Sequence, residues 1–308
     1  MAAVSHGTAI HETAILGGGP AGASCALWLK QLGFNPLLLE KRAALGGLQA
    51  LSPYPNLWLA GLGDQTGVAF AAKLQEQLKD LGVATVCSAE VVALERGEGG
   101  FRTHYRTSGS RELHLAETRF LVAATGVRPR DGGIGPGPGL IFGPGAGVAE
   151  SDFTGLRVAI LGGGDNALEN HGLVKAAGAA SVTVFARRLR ARASLVAAVP
   201  ESDLRVGPYS VDAGALQVAG EPFERILVLY GWRPNSEVLA GLSPALDGEG
   251  FVRTAVESAE TDLPGLYAIG ELARRGHPCC ATSLADGVTA ARAIQDRIEG
   301  RSARYTRL

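Results

Sequence analysis

The stretch Thr13-Ala-Ile-Leu-Gly-Gly-Gly-Pro-Ala-Gly-Ala-Ser-Cys25 decides the fold of this chain. Residues 13–16 form a short apolar run that predicts a buried parallel strand, and the run breaks on a glycine turn that leads into a helical pattern. A second apolar strand follows at residues 36–39 and is closed by Glu40. This order of strand, glycine turn, helix, strand and acid predicts a βαβ unit that binds a dinucleotide.

Each part of this first motif has a physical task. Gly17 permits the tight turn, Gly19 lets the backbone approach a pyrophosphate, and Gly22 lets the helix pack closely on the strand. The helix N-terminus presents unpaired N–H groups to the phosphates. Glu40 follows at the spacing of roughly 20 residues at which a carboxylate binds ribose hydroxyls. The predicted binding residues of this motif are Gly17, Gly19, Pro20, Ala21, Gly22 and Glu40.

The size and composition of the chain favour two α/β domains and exclude several classes of protein. The 308 residues exceed one typical domain, 46% of them are hydrophobic and 43 are glycine. The formal net charge of −1 gives no field that would attract nucleic acid. No apolar run approaches the roughly 20 residues of a transmembrane helix, and four cysteines do not make a disulfide scaffold. We therefore expect a cytoplasmic protein, with attachment to a membrane through a partner left open.

Between the first motif and residue 127 the sequence alternates short strands with one helix. A helix is predicted over 67–81 and a strand over 83–87. Antiparallel strands are predicted over 91–94, 101–105 and 120–124. Residues 128–147 are dense in glycine and proline, which predicts a linker and a domain boundary.

A second dinucleotide motif begins at Arg157-Val-Ala-Ile-Leu-Gly-Gly-Gly-Asp-Asn-Ala167. The next predicted strand, residues 181–185, is followed by Ala186 and a run of arginines where an acid would otherwise stand. Arginine binds a phosphate with two parallel hydrogen bonds, so the exchange favours a nucleotide with a 2′-phosphate. The alternative is a solvated basic loop.

The end of the chain returns to the first domain. A strand that leads back is predicted over 226–235. A second strand is predicted over 265–271, ending on Glu271, before a helix that is expected to start near Thr282. The predicted domains are residues 1–127 with 240–308, and residues 128–239.

With two nucleotide motifs, the phrase Leu121-Val-Ala-Ala-Thr-Gly126 and Ile-Gly-Glu271 before a final helix, the chain resembles the low-molecular-weight thioredoxin reductase family of flavoproteins. The resemblance implies an α/β fold of two Rossmann-like nucleotide-binding domains of the three-layer ββα type, and a homodimer. It implies FAD on the first motif, with further contacts from Gln49, Thr125, Gly126, Gly270, Glu271 and Ala281. It implies NADPH on Gly162, Gly164, Asp165, Asn166, Arg187, Arg188 and Arg192.

The sequence departs from that family in three places. The family's Cys-x-x-Cys lies about a dozen residues before the second motif, where residues 145–152 contain no cysteine. Asn170 and His171 stand where the family has Glu and Ala, and Ala186 replaces a His before the paired arginines. These changes speak against ordinary NADPH binding.

A branch of the family, the diflavin-linked disulfide oxidoreductases, lacks the redox motif and holds a second FAD in the NADPH slot. A second FAD is therefore favoured over NADPH here, and Trp232 is a candidate stacking surface or a core residue.

The cysteines are the remaining candidates for redox chemistry. Cys279 and Cys280 precede the last helix, and a helix dipole would lower the pKa of a thiol there. At this place the thioredoxin reductase family has a Gln-Ala pair, which lies at the edge of the flavin. Cys25 lies in the first helix, and the resemblance places the beginnings of both helices near the flavin. A disulfide between Cys25 and Cys279 or Cys280 is predicted, while Cys87 is expected in the core. The alternative is that Cys25 is a small core residue and that Cys279 and Cys280 form a buried, inert pair.

The function predicted from these observations is an FAD-dependent oxidoreductase that exchanges electrons between the flavin and a relocated dithiol. Its partner would be a small-molecule or protein thiol or disulfide. The alternatives are a thioredoxin reductase-like ferredoxin–NADP reductase and a non-enzymatic flavin redox sensor. Reduction of the flavin by NADPH alone separates the first alternative from the leading hypothesis.

Overall fold

The computed structural model describes residues 11–301. The chain divides into two compact units: unit 1 is residues 1–127 with 234–308, and unit 2 is residues 128–233. The chain thus returns to unit 1 between residues 233 and 234, whereas the boundary predicted from the sequence lies between residues 239 and 240. The predicted domain bounds include residues 1–10 and 302–308, which lie outside the described residues.

The described chain contains eighteen strands and six α-helices. The strands are β1 Thr13–Leu16, β2 Pro36–Leu39, β3 Ala84–Val86, β4 Ala89–Gly97, β5 Gly100–Thr107, β6 His114–Thr118, β7 Phe120–Ala123, β8 Val127–Pro129, β9 Leu140–Phe142, β10 Arg157–Leu161, β11 Ser181–Ala186, β12 Leu204–Val206, β13 Val211–Asp212, β14 Gln217–Val218, β15 Glu221–Pro222, β16 Arg225–Val228, β17 Trp232–Pro234 and β18 Leu266–Ala268. The helices are α1 Pro20–Gln31, α2 Gly67–Asp80, α3 Ala146–Ala149, α4 Asp165–Ala176, α5 Ala193–Ala198 and α6 Cys280–Ile298.

Unit 1 is built on a parallel sheet of five strands in the order β18-β7-β1-β2-β3. Alternate residues of each strand point to opposite faces. One face, which includes Ile15 and Leu38, packs on helices α1, α2 and α6, and the other, which includes Leu16 and Leu39, packs on the antiparallel sheet β4-β5-β6. Unit 1 therefore has the three-layer ββα arrangement that the sequence predicts.

Unit 2 repeats the arrangement on a smaller scale. Its parallel sheet has the order β12-β11-β10-β16-β9. Ile160 and Val184 face α4, while Leu161 and Phe185 face the short antiparallel strands β13, β14 and β15.

Three local predictions are wrong. The strand predicted over 226–235 is two strands, because β16 ends at Val228 in the sheet of unit 2 and β17 begins at Trp232 in another sheet. Residues 120–123 pair parallel with β1 and β18 in the main sheet of unit 1 and are not part of the antiparallel sheet, whose third strand is β6. Residues 128–147 are not a free linker, because β9 lies within them and completes the sheet of unit 2 beside β16. The strand β9 was not predicted, because it has only three residues, its side chains are only partly buried, and glycine-rich segments flank it.

Among residues 11–301, no helix has the length and apolarity needed to cross a membrane.

Candidate functional site

The first glycine turn joins β1 to α1 and leaves no room for side chains at two of its positions. A Cβ atom on Gly17 would collide with the carbonyl oxygen of Ala124, and one on Gly22 would collide with the carbonyl oxygen of Gly17. Gly17 also has a φ of +105°, in the region that favours glycine. Pro20 begins α1, and the first-turn N–H groups of this helix face the turn. The turn therefore has the close packing that the sequence predicts for a pyrophosphate site.

Glu40 directly follows β2, and its carboxylate is buried, with 6% of the residue exposed. One oxygen accepts a hydrogen bond of 2.6 Å from the backbone N–H of Gly18, and the other accepts one of 2.8 Å from that of Arg42. These bonds fix the carboxylate beside the glycine turn, in the position from which an acid binds ribose. Binding of ribose by Glu40 stays a prediction, which this placement allows.

Three further predicted contacts belong to unit 1. The Thr125 hydroxyl donates to the backbone oxygen of Asn235 at 2.9 Å, and Gly126 has a φ of +63°. Ala124, the neighbour of Thr125, is the residue against which Gly17 packs. Gln49 lies in a short 3₁₀ helix, and its side-chain oxygen is buried without a hydrogen-bond partner among the described residues. A buried amide oxygen that has no hydrogen-bond donor within the protein is able to accept a hydrogen bond from a ligand.

Gly270 and Glu271 lie between the beginnings of α1 and α6. A Cβ atom on Gly270 would approach the Cβ of Ala21 to 2.8 Å, and the N–H of Gly270 donates to Asp286 of α6 at 3.0 Å. The other oxygen of Asp286 accepts a bond of 3.0 Å from the largely buried Arg275. This buried ion pair therefore fixes the turn that carries Glu271.

The Glu271 carboxyl group makes no hydrogen bond or ion pair within residues 11–301. Burial raises its pKa above the usual range. A partly buried carboxyl group without a partner, beside a dinucleotide turn and a second helix start, fits the ribitol hydroxyls of FAD. Together with Glu40 and Gln49, it makes unit 1 a suitable FAD site. Ala281, a further predicted contact, lies in the first turn of α6.

The structure does not bring Cys25 to the Cys279–Cys280 pair. All four cysteines are free thiols. A Cβ on Gly287 would lie 2.7 Å from the Cys25 nitrogen, so Cys25 packs against Gly287 of α6. Cys280 lies two helical turns before Gly287, roughly 10 Å along the axis. A disulfide requires Cα atoms within about 7 Å. The predicted disulfide of Cys25 therefore gains no support from this placement.

The environment of Cys280 is opposite to the one that the sequence predicts. Burial, the neighbouring Cys279 and the carboxyl group of Glu271 raise the pKa of Cys280 to about 12. Burial also raises the pKa of Cys25, which is fully enclosed. The expectation of a lowered thiol pKa at the start of α6 is wrong for Cys280, because desolvation and negative neighbours outweigh the helix dipole there.

This pKa gives a prediction for thiol reactivity. At pH 8 only about one Cys280 thiol in ten thousand is ionised, so in the folded protein we expect it to react with iodoacetamide roughly a thousandfold more slowly than an ordinary exposed thiol. The rate should rise about tenfold per pH unit towards pH 12. Peptide mass spectrometry after timed labelling measures this rate, with the unfolded chain as the control in which every cysteine reacts. Fast labelling of Cys280 that is independent of pH above 8 would contradict the assignment.

The second glycine turn, between β10 and α4, has the same geometry as the first. Gly17 donates its N–H to Leu39 at 2.8 Å, and Gly162 donates its N–H to Phe185 at 2.9 Å. A Cβ on Gly162 would collide with the carbonyl oxygen of Leu229, as one on Gly17 would with that of Ala124. The chain therefore contains two equivalent dinucleotide turns. Gly164, Asp165 and Asn166 follow Gly162 at the positions of Gly19, Pro20 and Ala21.

The two turns differ at the position that binds ribose. Glu40 follows the last residue of β2 that pairs with β1, and Ala186 follows the last residue of β11 that pairs with β10. Ala186 is thus the counterpart of Glu40. Beyond it, Arg187 and Arg188 border a cavity of about 940 Å³. Its lining residues are Arg130, Gly132, Gly133, Ile134, Gly162, Gly163, Arg187, Arg188, Arg190, Tyr209, Val211, Ala213, Leu229 and Tyr230.

Three guanidinium groups of this cavity are available to a ligand. Arg187, Arg188 and Arg190 make no side-chain hydrogen bond or ion pair to any residue that the structure describes. The hydroxyl of Tyr209 donates to that of Tyr230 at 3.1 Å. Burial raises the pKa of both tyrosines, and the charge of Arg187 acts in the opposite direction, which places this guanidinium near the phenols.

Arg192 and Asp165, two residues predicted to bind the second nucleotide, bind each other instead. The guanidinium of Arg192 donates to Asp165 at 2.7 Å and to Glu169 at 2.7 Å, and Arg192 does not line the cavity. Trp232 does not line it either. The prediction that Arg192 binds a phosphate is therefore not supported by its position.

Asn170 and His171, which in the sequence speak against NADPH, serve the interior of unit 2. The Asn170 amide donates to the backbone oxygen of Asn166 at 2.7 Å. The His171 ring lies 2.9 Å from Asp203, which also binds Lys175 at 2.6 Å. Both residues are buried in α4. Their internal bonds remove the sequence argument against ordinary NADPH binding.

Sequence reasoning missed several residues of these sites. Tyr209, Tyr230 and Arg130 come from three separate segments and join the cavity only through the fold of unit 2. No sequence signal identifies the tyrosines. The position of Arg190 in the basic run indicates a phosphate-binding residue, but the sequence does not show which arginines of the run are free to bind a ligand. The Asp286–Arg275 ion pair likewise could not be predicted from the sequence.

Comparisons with known proteins identify the family. The sequence profile of the pyridine nucleotide-disulphide oxidoreductases matches residues 11–201. A ferredoxin–NADP reductase of Levilactobacillus brevis is 27% identical, with 86% of each chain covered. A thioredoxin reductase of Peptoclostridium acidaminophilum is 25% identical over 94% of this chain and 98% of that protein. The crystal structure of Lactococcus lactis thioredoxin reductase in its FR conformation superposes with a TM-score of 0.76 at 23% identity, covering 94% of this chain and 99% of that one.

The fold is thus that of thioredoxin reductase, as the sequence predicts. The protein is an oxidoreductase of a flavoprotein family whose members use FAD and a pyridine nucleotide. With its two equivalent dinucleotide turns and a profile match across both of them, the chain belongs to the pyridine nucleotide-disulphide oxidoreductase family.

Proposed function

We propose that the protein is an NADPH-dependent FAD oxidoreductase in which unit 2 binds NADPH and unit 1 binds FAD. The observation that carries the proposal is the cavity of unit 2, where Arg187, Arg188 and Arg190 stand free beyond Ala186. A 2′-phosphate carries the charge that these groups would bind, and the absence of an acid at Ala186 removes the repulsion.

The same observation argues against a second FAD. The adenosine ribose of FAD carries a free 2′-hydroxyl, which a carboxylate such as Glu40 binds well. Unit 2 offers no carboxylate at the equivalent position. Three arginines around an uncharged hydroxyl would repel one another without compensation. Unit 1 and unit 2 are thus suited to two different nucleotides.

FAD bound in unit 1 would supply hydride-accepting and electron-transfer chemistry. The chain supplies binding and orientation. The N–H groups at the start of α1 bind the pyrophosphate, Glu40 binds the ribose, and Glu271, fixed by the Asp286–Arg275 pair, binds the ribitol. Gly17 and Gly22 allow the close backbone approach.

On the acceptor side, we propose that electrons leave the flavin directly to an external acceptor. No cysteine occurs between Cys87 and Cys279, so unit 2 carries no thiol pair. The raised pKa values keep Cys25 and Cys280 protonated near neutral pH, which weakens them as nucleophiles. The Levilactobacillus brevis relative, named ferredoxin–NADP reductase, supports an acceptor of the electron-transfer type.

A second candidate retains an internal thiol relay through Cys279 and Cys280. These adjacent thiols begin α6 next to Glu271, on the side of unit 1 where the flavin would bind. In this candidate the Cys279–Cys280 dithiol would be oxidised to a disulfide as it reduces an external disulfide to two thiols, and two electrons from reduced FAD would restore the dithiol.

The test begins with the nucleotides released on denaturing the purified protein. We expect one FAD per chain and full anaerobic bleaching of the flavin absorption by one equivalent of NADPH, with NADH about 100-fold less effective. The double variant Cys279→Ser/Cys280→Ser should bleach as the wild type and retain turnover with an artificial one-electron acceptor. Two FAD per chain, or no bleaching by NADPH, would overturn the proposal. A double variant that still reduces the one-electron acceptor but has lost an NADPH-dependent reduction of an external disulfide that the wild type carries out would favour the thiol relay.

A further inference from the structure

The contacts of Arg192 assign it a different task from that of its neighbours. Its backbone N–H donates to one oxygen of Asp165 at 2.8 Å, and its Nε donates to the other at 2.7 Å. A terminal nitrogen donates to Glu169, one turn further along α4, at 2.7 Å. Arg192 also accepts hydrogen bonds from the first turn of α5. It therefore joins the end of the arginine loop to two helices.

The glycine turn holds the residues of the loop that directly precede Arg192. The carbonyl oxygen of Gly163 accepts the backbone N–H groups of Arg190 at 2.6 Å and of Ala191 at 3.0 Å. A Cβ on Gly163 would collide with the carbonyl oxygen of Arg188. The backbone of residues 188–192 is thus fixed on the turn and on α4, while the side chains of Arg187, Arg188 and Arg190 extend along the cavity.

We propose that Asp165, Glu169 and Arg192 form a latch that sets the specificity of unit 2 for a 2′-phosphate, acting as positioning residues without contact to the nucleotide. The latch holds the loop so that Arg187, Arg188 and Arg190 converge on one phosphate. This inference rests on the proposed function, because it concerns the NADPH site of that proposal.

The latch and direct phosphate binding predict opposite signs for one substitution. If Arg192 bound the phosphate, Glu169→Gln would release it from a competing carboxylate and remove a negative charge, so affinity for an anion would rise. If the latch operates, Glu169→Gln loosens the loop, and affinity falls although the site becomes more positive. The sign of this change decides between the two roles.

The experiment titrates the FAD-loaded full chain with 2′,5′-ADP and with 5′-AMP by calorimetry. We expect Glu169→Gln to weaken 2′,5′-ADP binding about fivefold, the upper range for an exposed charge pair, and to leave 5′-AMP binding unchanged. Arg192→Gln should have a similar or larger effect, and Glu169→Gln should add nothing in its presence, because both changes open the same latch. Glu150→Gln, an exposed carboxylate of unit 2 outside the latch, is the matched control for charge and should bind as the wild type.

The outcomes separate this inference from the proposed function. A wild type that binds 2′,5′-ADP no better than 5′-AMP would refute NADPH specificity itself. A wild type that prefers 2′,5′-ADP, with a Glu169→Gln variant that binds it equally well or more tightly, would overturn the latch alone. FAD content and thermal unfolding of each variant report on its fold, and equal losses of 2′,5′-ADP and 5′-AMP affinity would also contradict the latch.

Discussion

Gly163→Ala is expected to abolish NADPH binding by unit 2 while leaving FAD bound to unit 1. The new methyl group would collide with the carbonyl oxygen of Arg188 and lie 3.1 Å from the Cβ of Ala186. Gly163 cannot move away without breaking the bonds that its own carbonyl oxygen accepts from Arg190 and Ala191. The loop must therefore shift, and we expect the affinity for NADPH to fall more than 100-fold, since two or more charge-assisted bonds of about 1.5–3 kcal/mol each are lost.

Gly172→Ala is the matched control for this substitution. Gly172 lies in α4, only nine positions along the chain, and a Cβ there would have no neighbour within 4 Å. This variant should bind NADPH as the wild type and gain up to about 1 kcal/mol of helix stability. Titration with NADPH, with the FAD content measured in parallel, gives the comparison. Wild-type NADPH affinity in Gly163→Ala would show that the second turn does not serve this nucleotide.

The fold was predictable because its decisive elements have local signals. A strand, a glycine turn and a helix occupy consecutive residues, and the collisions at Gly17 and Gly22 explain why glycine is needed there. Periodicity located α2 to within one residue of its observed end at Asp80. The acid at Glu40 follows from the length of the βαβ unit. An element can be predicted from the sequence where the interactions that form it join residues close together along the chain.

The predictions that fail depend on contacts between distant residues. The strand direction of residues 120–123 is set by β1 and β18, which lie far away in the sequence. The pKa of Cys280 is set by burial and by Glu271, and a helix start alone gives the opposite sign. Arg192 and Arg188 look alike in the sequence, but only one of them meets Asp165 and Glu169. The tertiary environment decides each case.

Glu40→Ala is expected to yield protein that purifies without FAD. The carboxylate accepts the N–H groups of Gly18 and Arg42 at 2.6 and 2.8 Å, and both donors would lose their partner beside the turn. The bonds to the ribose would be lost as well. Charge-assisted bonds of about 1.5–3 kcal/mol each predict an FAD dissociation constant raised more than 100-fold. Flavin fluorescence on titrating the apoprotein with FAD measures this constant.

Two further variants make the result specific to this carboxylate. Glu40→Gln keeps an oxygen for the N–H of Gly18 but loses the charge, so we expect an intermediate loss of affinity. Glu117→Ala removes a carboxylate of unit 1 that pairs with Arg102 on the exposed surface of the antiparallel sheet, and it should retain FAD fully. If Glu40→Ala purified yellow with wild-type affinity, the first motif would not be the FAD site. Because unit 2 has alanine at the equivalent position, a normal FAD affinity in Glu40→Ala would also remove the argument that the missing acid at Ala186 excludes a second FAD.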